Sequence, residues 1–587
     1  MVNLFSSFSL PHAISFFQQD TVLQPGYLIC FLLLWTVQMA VSFFFCTQKT
    51  GFHEDEYYTY YSTARTNGFY VNDGQWMDRE VYGNEFVVLP EQRFQYGLVK
   101  QVQSWDVHPP MYYWVFHTVA SLVPGVFSKW IGLTVNLFFH GINMILLSYL
   151  SFLIGVGDRK LALSVTLFYG LSPAAMSGVV FIRMYEMLTT FVLLCAVLHI
   201  RAVKERAAVR YPSGERGDAA LPVRGFLIPV MLVTYTGFLT HYYYFIFLFY
   251  LAVIFNIWLL WRDRHIWNCV RYAVSQGIAL GLAVLTYPSC LGQMFRGQRG
   301  AQATANFFDV SNTIGRVRFF VDLMDRYVFG RLFWGLLSVI LLFAIIAGWR
   351  IRKASYVTGR RNDGRRLGAE YFILLFAIIG YFLTVSKTAL LLGETSNRYQ
   401  LPVYGIIVLL AFAAVRELWC QMSGMAENPQ SAWPVLRDNC RKNVGICVAL
   451  ICMLAGLLSA WREEVIFLYP EDSEQTAFAQ ECAGKGIPVI YFYQTGDEWC
   501  IWSVANELFA YPQVYFAAAG SEGVISEEKI QNADALVVYL AAGADEKKNL
   551  QRVWDGAPTA SAYQWECVFE EKYCNVYYLH RDKTNGT

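Results

Sequence analysis

The chain has 587 residues, 55% of them hydrophobic and 17% aromatic, with 16% charged residues and a formal net charge of +1. Soluble domains carry roughly 25% charged residues, so the composition excludes an ordinary soluble enzyme, and a charge so near zero excludes bulk attraction to nucleic acid. Apolar runs of about 20 residues, the length that crosses a bilayer, recur along the sequence and mark an α-helical polytopic membrane protein.

The first run, 27–46, has no basic segment before it and no small-residue cleavage site after it, so it is expected to stay as a helix rather than act as a signal peptide. Further spans are expected at 110–124, 129–153, 160–180, 183–202, 225–240, 241–261, 270–289, 331–349, 371–390, 399–416 and 444–461, for a total of 11–13 helices. Lys and Arg collect in 157–160, 201–210, 261–265, 350–366 and 437–443, and basic short loops face the cytoplasm. The extracytoplasmic side then receives 47–109, the approaches to Arg183 and His241, 290–330, 391–398 and everything after 461. One parity conflict remains. Two spans, 110–124 and 129–153, separate an outside loop from an inside one, where an odd number is required. The run 110–124 is short and begins "PMYYW" behind a second proline, so one of the two is expected not to cross fully.

Residues 1–461 thus read as a membrane-embedded domain with large outside loops at 47–109 and 290–330. Loops of this length without helices of their own are uncommon, so short helices are expected in both. Residues 462–587 change character. Strand-like runs such as "IPVIYFY" and "DALVVYLAAG" alternate with helical ones, and 563–581 reads as a hairpin. A soluble extracytoplasmic α/β domain with a mostly parallel sheet is expected. On that side of the membrane, Cys482 with Cys500 and Cys567 with Cys574 are candidate disulfides. No glycine-rich phosphate-cradling motif is present in this domain.

Chemistry concentrates at the membrane lip. "HEDEYYTYYSTA" places Glu54, Asp55 and Glu56 just after the first span. Acids favour a helix N-terminus through the macrodipole, so a solvated helix start is one reading and a reactive carboxylate the other. Adjacent helical residues point ~100° apart. Asp55 and Glu56 therefore cannot both face one reactant, and the second acid is free to anchor the loop through a cation. "SWDVHPPMYYW" brings Asp106 and His108 to a proline-fixed helix start. Arg183, Arg296, Arg299, Lys387 and Arg398 are cations on the outer ends of spans, where positive charge is disfavoured. Together they suggest an anionic ligand such as a lipid phosphate, which Arg's fork suits. His241 and Tyr242, in "THYYY", mark one further outer end.

The order of these pieces resembles the GT-C superfamily of integral-membrane glycosyltransferases. Asp55-Glu56 is followed by "HPPMYY", then by Arg183 and Tyr185, "THYYY", and finally "RYQLPVY" with Arg398 and Tyr399. The closest branch includes the dolichyl-phosphate-mannose protein mannosyltransferases and the aminoarabinose transferases, and the resemblance covers roughly 27–416. It implies a GT-C-like fold and an inverting transfer of sugar from a polyprenyl-phosphate donor to a hydroxyl of a glycan, lipid or protein at the extracytoplasmic face. Asp55 would be the general base and Glu56 its neighbour. His108, Arg183, Tyr185, His241, Tyr242, Arg296, Arg299, Lys387, Arg398 and Tyr399 would serve substrate binding, with Arg398 near the carrier phosphate. Glu54 adds a third acid to the pair, which leaves the base open by one position. Some members of the superfamily use a divalent metal. Glu54, Asp55 and Glu56 with His108 could hold one, but three consecutive helical carboxylates do not converge on one ion, so no required cofactor is expected and a divalent metal is left as an unsupported alternative. A transporter or flippase of lipid-linked sugars, or a non-catalytic assembly subunit, is the alternative. A transporter would place ionisable residues at mid-depth and show internal repeats, and the spans carry few acids there.

Overall fold

Pro25 opens the first long helix, Pro25–Gln48, at a position where a missing N–H is not needed. The computed structural model describes residues 24–64, 71–208, 220–358, 367–424, 451–554 and 563–581. Among these, eight helices are long and apolar enough to cross a bilayer, or up to ten if two bent pairs each count as one span. The bent pairs are Arg159–Gly170 with Pro173–Val180, at 60°, and Val310–Phe329 with Phe333–Trp349, at 91°. The chain is a multi-pass membrane protein. Of the span expected at 444–461, Ile451–Ala460 is a described helix. Residues 444–450, the basic stretch 437–443 and parts of 201–210 and 350–366 lie outside the described residues.

The parity conflict resolves at Met111–Leu122. This helix has 12 residues, and at 1.5 Å per residue it reaches about 18 Å, short of the ~30 Å hydrocarbon layer. One crossing, Lys129–Ile154, therefore joins the first large loop to the basic turn at 157–160. Both large loops hold short helices of their own. Glu54–Ala64 and Tyr96–Gln103 lie in the first, and Gln298–Phe308 and Thr313–Met324 in the second.

The sharper of the two bends turns on Gly330, which adopts φ +59°. An added Cβ there would fall against the Gly456 carbonyl oxygen and the Ala460 amide nitrogen. Both contacts are backbone and have no rotamer in which to retreat. Left-handed backbone costs an L-residue about 1–2 kcal/mol before that collision is counted. Gly330→Ala is expected to lower the melting temperature of the detergent-solubilised protein. An unchanged melting curve would contradict this packing.

The C-terminal sheet has six strands: β1 (Gln75–Asp78), β2 (Val489–Tyr493), β3 (Gln513–Ala518), β4 (Ala535–Ala541), β5 (Tyr563–Glu570) and β6 (Cys574–Arg581), in the order β1-β3-β2-β4-β6-β5. Every residue of β2 is buried, as expected for a central strand covered on both faces. Two departures from expectation follow. Only β2–β3 and β2–β4 pair in parallel, and the other three pairings are antiparallel. The sheet also takes β1 from the first large loop, with Gln75 opposite Phe516 and Asp78 opposite Gln513. That strand covers an edge of β3 that would otherwise be open.

Neither candidate disulfide forms, and Cys482, Cys500, Cys567 and Cys574 are all free thiols. In the hairpin, the register sets Cys567 opposite Tyr577. Cys574 is then three residues along the partner strand, about 10 Å away at the strand rise, beyond the Cα separation a disulfide spans.

Candidate active site

The three consecutive acids separate as the helix geometry requires. Glu56 turns inward and is fully buried. Its carboxylate accepts from Lys49 Nζ at 2.9 Å and from the amides of His53 and Ile182, each at 2.6 Å. Burial pushes this carboxyl up and the Lys49 ammonium down, and each partner partly offsets the other's shift. Glu54 turns toward the C-terminal hairpin, where Lys572 Nζ at 2.8 Å and the Tyr573 hydroxyl at 3.0 Å donate to it. Asp55 faces a cationic wall. Its Oδ2 lies 2.7 Å from Arg398 Nη1, and its side chain keeps 31% exposure. The two differ in access: Glu56 is sealed, and Asp55 can be reached.

Arg183 reaches this spot because the chain breaks there. Ser172 caps the helix Pro173–Val180, and Pro173 holds its first position. The turn that follows is gripped from the helix Lys129–Ile154. Asn136 Nδ2 donates to the carbonyls of Val179 and Phe181, and Asn143 Nδ2 donates to the carbonyl and carboxylate of Glu186. Amide bonds of this kind join helices within a bilayer. Arg183 Nη1 then donates to the Asp55 carbonyl at 2.9 Å and to Thr59 Oγ1 at 3.1 Å, and its guanidinium lies over the Tyr113 ring at 5.9 Å. Arg398 comes from the short helix Thr395–Tyr399. It stacks between Phe181 and Tyr399 at 5.3 and 5.1 Å, and its Nε is buried without a partner.

Two histidines complete the wall. His108 Nδ1 lies 3.2 Å from Asp106 Oδ2 and 3.3 Å from Arg183 Nη2. It donates to the carboxylate when protonated there and accepts from the guanidinium when not. The His241 ring centroid is 5.7 Å from both His108 and Tyr185, and its Nδ1 accepts from the Tyr243 amide at 3.0 Å. Burial holds His241 in its neutral form, reinforced by His108 and the two arginines. Burial alone would raise the Asp55 carboxyl, but Arg398, then Arg183, outweigh it and hold the group well below the usual carboxylate range.

The structure thus brings Asp55, His108, Arg183, Tyr185, His241, Arg398 and Tyr399 into one cluster. Tyr185 and Tyr399 meet edge to face at 6.1 Å. Tyr242 stands beside it, with its hydroxyl donating to Gln293 Oε1 at 2.5 Å. Three expected members do not join. Lys387 spends its ammonium on Asp309 O, Asn312 Oδ1 and Thr313 Oγ1, tying the second large loop to its span. Arg296, in the turn after the helix Ser289–Phe295, and Arg299, on the helix Gln298–Phe308, are exposed and have no bond to the cluster among the described residues. A cation at the end of a span can bind backbone carbonyls or stand in water instead of meeting a ligand.

Residues the sequence reading passed over also matter. His53 sits between Glu54 and Asp55. Its Nδ1 accepts from the Asp55 amide at 3.1 Å, and burial lowers its pKa to about 4. Gln293 Nε2 donates to the carbonyls of Gln103 and Asp106 and so fixes the loop before His108. The C-terminal domain closes one flank. Phe467 stacks on Phe181 at 4.0 Å, and Trp502 lies 4.7 Å from both Tyr58 and Tyr61. Apart from His53, whose partners are its neighbours, none of these carries a local sequence signal, because each acts through a partner far away in the chain.

Lys572 is largely exposed, so its pair with Glu54 is worth at most about 1 kcal/mol. Lys572→Ala is expected to leave the melting temperature nearly unchanged. A fall comparable to that from a core substitution would mean that the hairpin is held chiefly by this contact.

Among the described residues, no group of three or more His, Cys, Asp or Glu side chains could hold a metal ion. The chain matches no family model and no curated protein. Among solved structures, it is similar to ArnT from Cupriavidus metallidurans bound to undecaprenyl phosphate. The TM-score is 0.47 at 14% identity, over 94% of this chain and 98% of that one. The apo state of that protein gives a TM-score of 0.40 at 12% identity, over 89% and 96%. The archaeal oligosaccharyltransferase AglB from Archaeoglobus fulgidus, in complex with an inhibitory peptide and a dolichol-phosphate, gives 0.39 at 10% identity, over 95% and 75%.

Proposed function

We propose that the chain transfers a sugar from a polyprenyl-phosphate donor to an acceptor hydroxyl, with inversion at the anomeric carbon and Asp55 as general base. The observation that carries this reading is the one reachable acid of the three, Asp55, set 2.7 Å from a buried arginine. Around it stand residues from five chain segments between 53 and 399. Arg398 and Arg183 form a preset cationic wall of the kind that stabilises a departing phosphate.

In this reading the acceptor oxygen forms its bond to the anomeric carbon and gives its proton to Asp55. The bond from that carbon to the phosphate oxygen breaks, and its electron pair leaves with the polyprenyl phosphate. A carboxylate held low by Arg398 is a weak base. A phosphate bound at Arg398 would offset that positive charge and raise the basicity of Asp55, so donor binding would prime proton transfer. Glu56 takes no part in the chemistry. It fixes the start of the helix Glu54–Ala64, and with it the direction of Asp55.

The test is direct. Purified protein is incubated with a panel of polyprenyl-phosphate sugars and acceptors, and released polyprenyl phosphate is followed by mass spectrometry. Release coupled to acceptor modification is expected. If no donor is consumed while a fluorescent lipid-linked sugar crosses the bilayer of reconstituted vesicles, the protein is a transporter and the proposal fails.

A further inference from the structure

A second concavity opens behind the helix Glu54–Ala64, between the first outside loop, the start of Lys129–Ile154 and the sheet domain. Its volume is about 750 Å³, within the range of ligand-binding sites. Thr50 and Phe52 line it, while the cluster described above is built from His53 and Asp55. The buried Lys49–Glu56 pair and the bonds from Lys129 to the carbonyls of Thr47 and Lys49 close off the strip of chain between them. The two sites are therefore separate.

The lining is specific in kind. Three half-buried phenyl rings, Phe52, Phe127 and Phe509, stand together, with centroids 5.4 and 5.1 Å apart. Side-chain amides of Asn84, Asn506 and Gln480 surround them. Thr476 Oγ1, also on the wall, is buried without a hydrogen-bond partner. Charge is nearly balanced, since Arg79 is adjacent to Glu80 and the Lys129 ammonium is already engaged by carbonyls. One net positive charge, with the Lys129 ammonium already held by carbonyls, is too little to select a polyanion, and a purely apolar chain would leave the amides and the hydroxyl unpaired at a cost. A neutral sugar satisfies both halves of the surface. Its C–H face packs on phenyl rings, and its hydroxyls give and accept with amides, which carry both donors and acceptors.

We propose that this cleft is a binding site for a neutral carbohydrate chain, seated jointly by the first outside loop and the sheet domain. The proposal does not depend on the transfer chemistry assigned to Asp55. It is tested on the purified full-length protein by ligand-observed saturation-transfer NMR with chitotriose, mannotriose and maltotriose as probes. At least one probe is expected to bind, with saturation strongest on its ring C–H protons. The double variant Asn84→Ala/Asn506→Ala is expected to weaken binding about tenfold or more, in line with the loss of one or two hydrogen bonds. Gln480→Ala, at an exposed position, is expected to weaken it less and serves as the variant that preserves folding. Asp55→Asn is expected to leave binding unchanged. Failure of all three probes to bind at millimolar concentration overturns the proposal. So does binding that survives both cleft variants, or binding that disappears in Asp55→Asn.

Discussion

Asp55→Asn is expected to lower turnover by about 10²–10⁴-fold, the usual contribution of a positioned general base. The amide keeps the size of the side chain but cannot take a proton, and the Asp55 carbonyl that anchors Arg183 is unaffected. Donor affinity is expected to be retained, because Arg398 loses a competitor. The pH dependence follows from the sign of the shift. A carboxyl whose folded pKa is depressed is in its active, charged form above that pKa and loses it only as pH falls through that value. Arg398 and Arg183 hold Asp55 low against the burial that would raise it. The acid limb of kcat/KM in the free enzyme is therefore expected below the ordinary carboxylate range. Turnover of Asp55→Asn within a few-fold of the parent would remove Asp55 from the chemistry.

Glu56→Ala is expected to destabilise the protein by about 3–5 kcal/mol, the cost of breaking a buried ion pair from one side. It takes the only carboxylate bonded to the fully buried Lys49 ammonium among the described residues, leaving it the Phe467 carbonyl as hydrogen-bond acceptor, and it removes the acceptor for the His53 and Ile182 amides. The double change Lys49→Met/Glu56→Leu is expected to recover most of the loss, because a well-packed apolar pair is often as stable as a buried ionic one. Thermal unfolding followed by tryptophan fluorescence measures both. The comparison also settles which acid is the base. If Glu56→Ala kept its melting temperature and lost turnover, the assignment would move to Glu56.

The sequence and the structure agree where the signal is local. An acid cluster beside an apolar run, prolines after His108 and an arginine before a span are all legible in a few residues. The cluster places Asp55, His108, Arg183, His241 and Arg398 together, and their order along the chain had suggested a shared site. The division of labour among Glu54, Asp55 and Glu56 was half legible. Helix geometry says that neighbours diverge, but it does not say that Glu56 meets Lys49 or that Glu54 meets a hairpin 518 residues away. Lys387 and the pair Arg296 and Arg299 show the limit of counting cations. Loop charge marks them as a group, but their partners cannot be read from it. The four residues of β1 are too few to show an alternating pattern, and their pairing with β3 is a tertiary event.

That pairing also bears on when the protein becomes competent. β1 is made early and its partner β3 more than 430 residues later. At about 5–20 residues per second, roughly 20 to 90 seconds of synthesis separate the two. Over that interval the loop carrying Asp55 lacks the sheet edge and the Lys572 contact that hold it in the finished fold. The support of the cluster around Asp55 is therefore completed last, after the described membrane helices have been made. A ribosome that stalls before β3 would leave a chain with those spans in place and the cluster unsupported, so on the proposed function this long-range strand would tie activity to completion of synthesis.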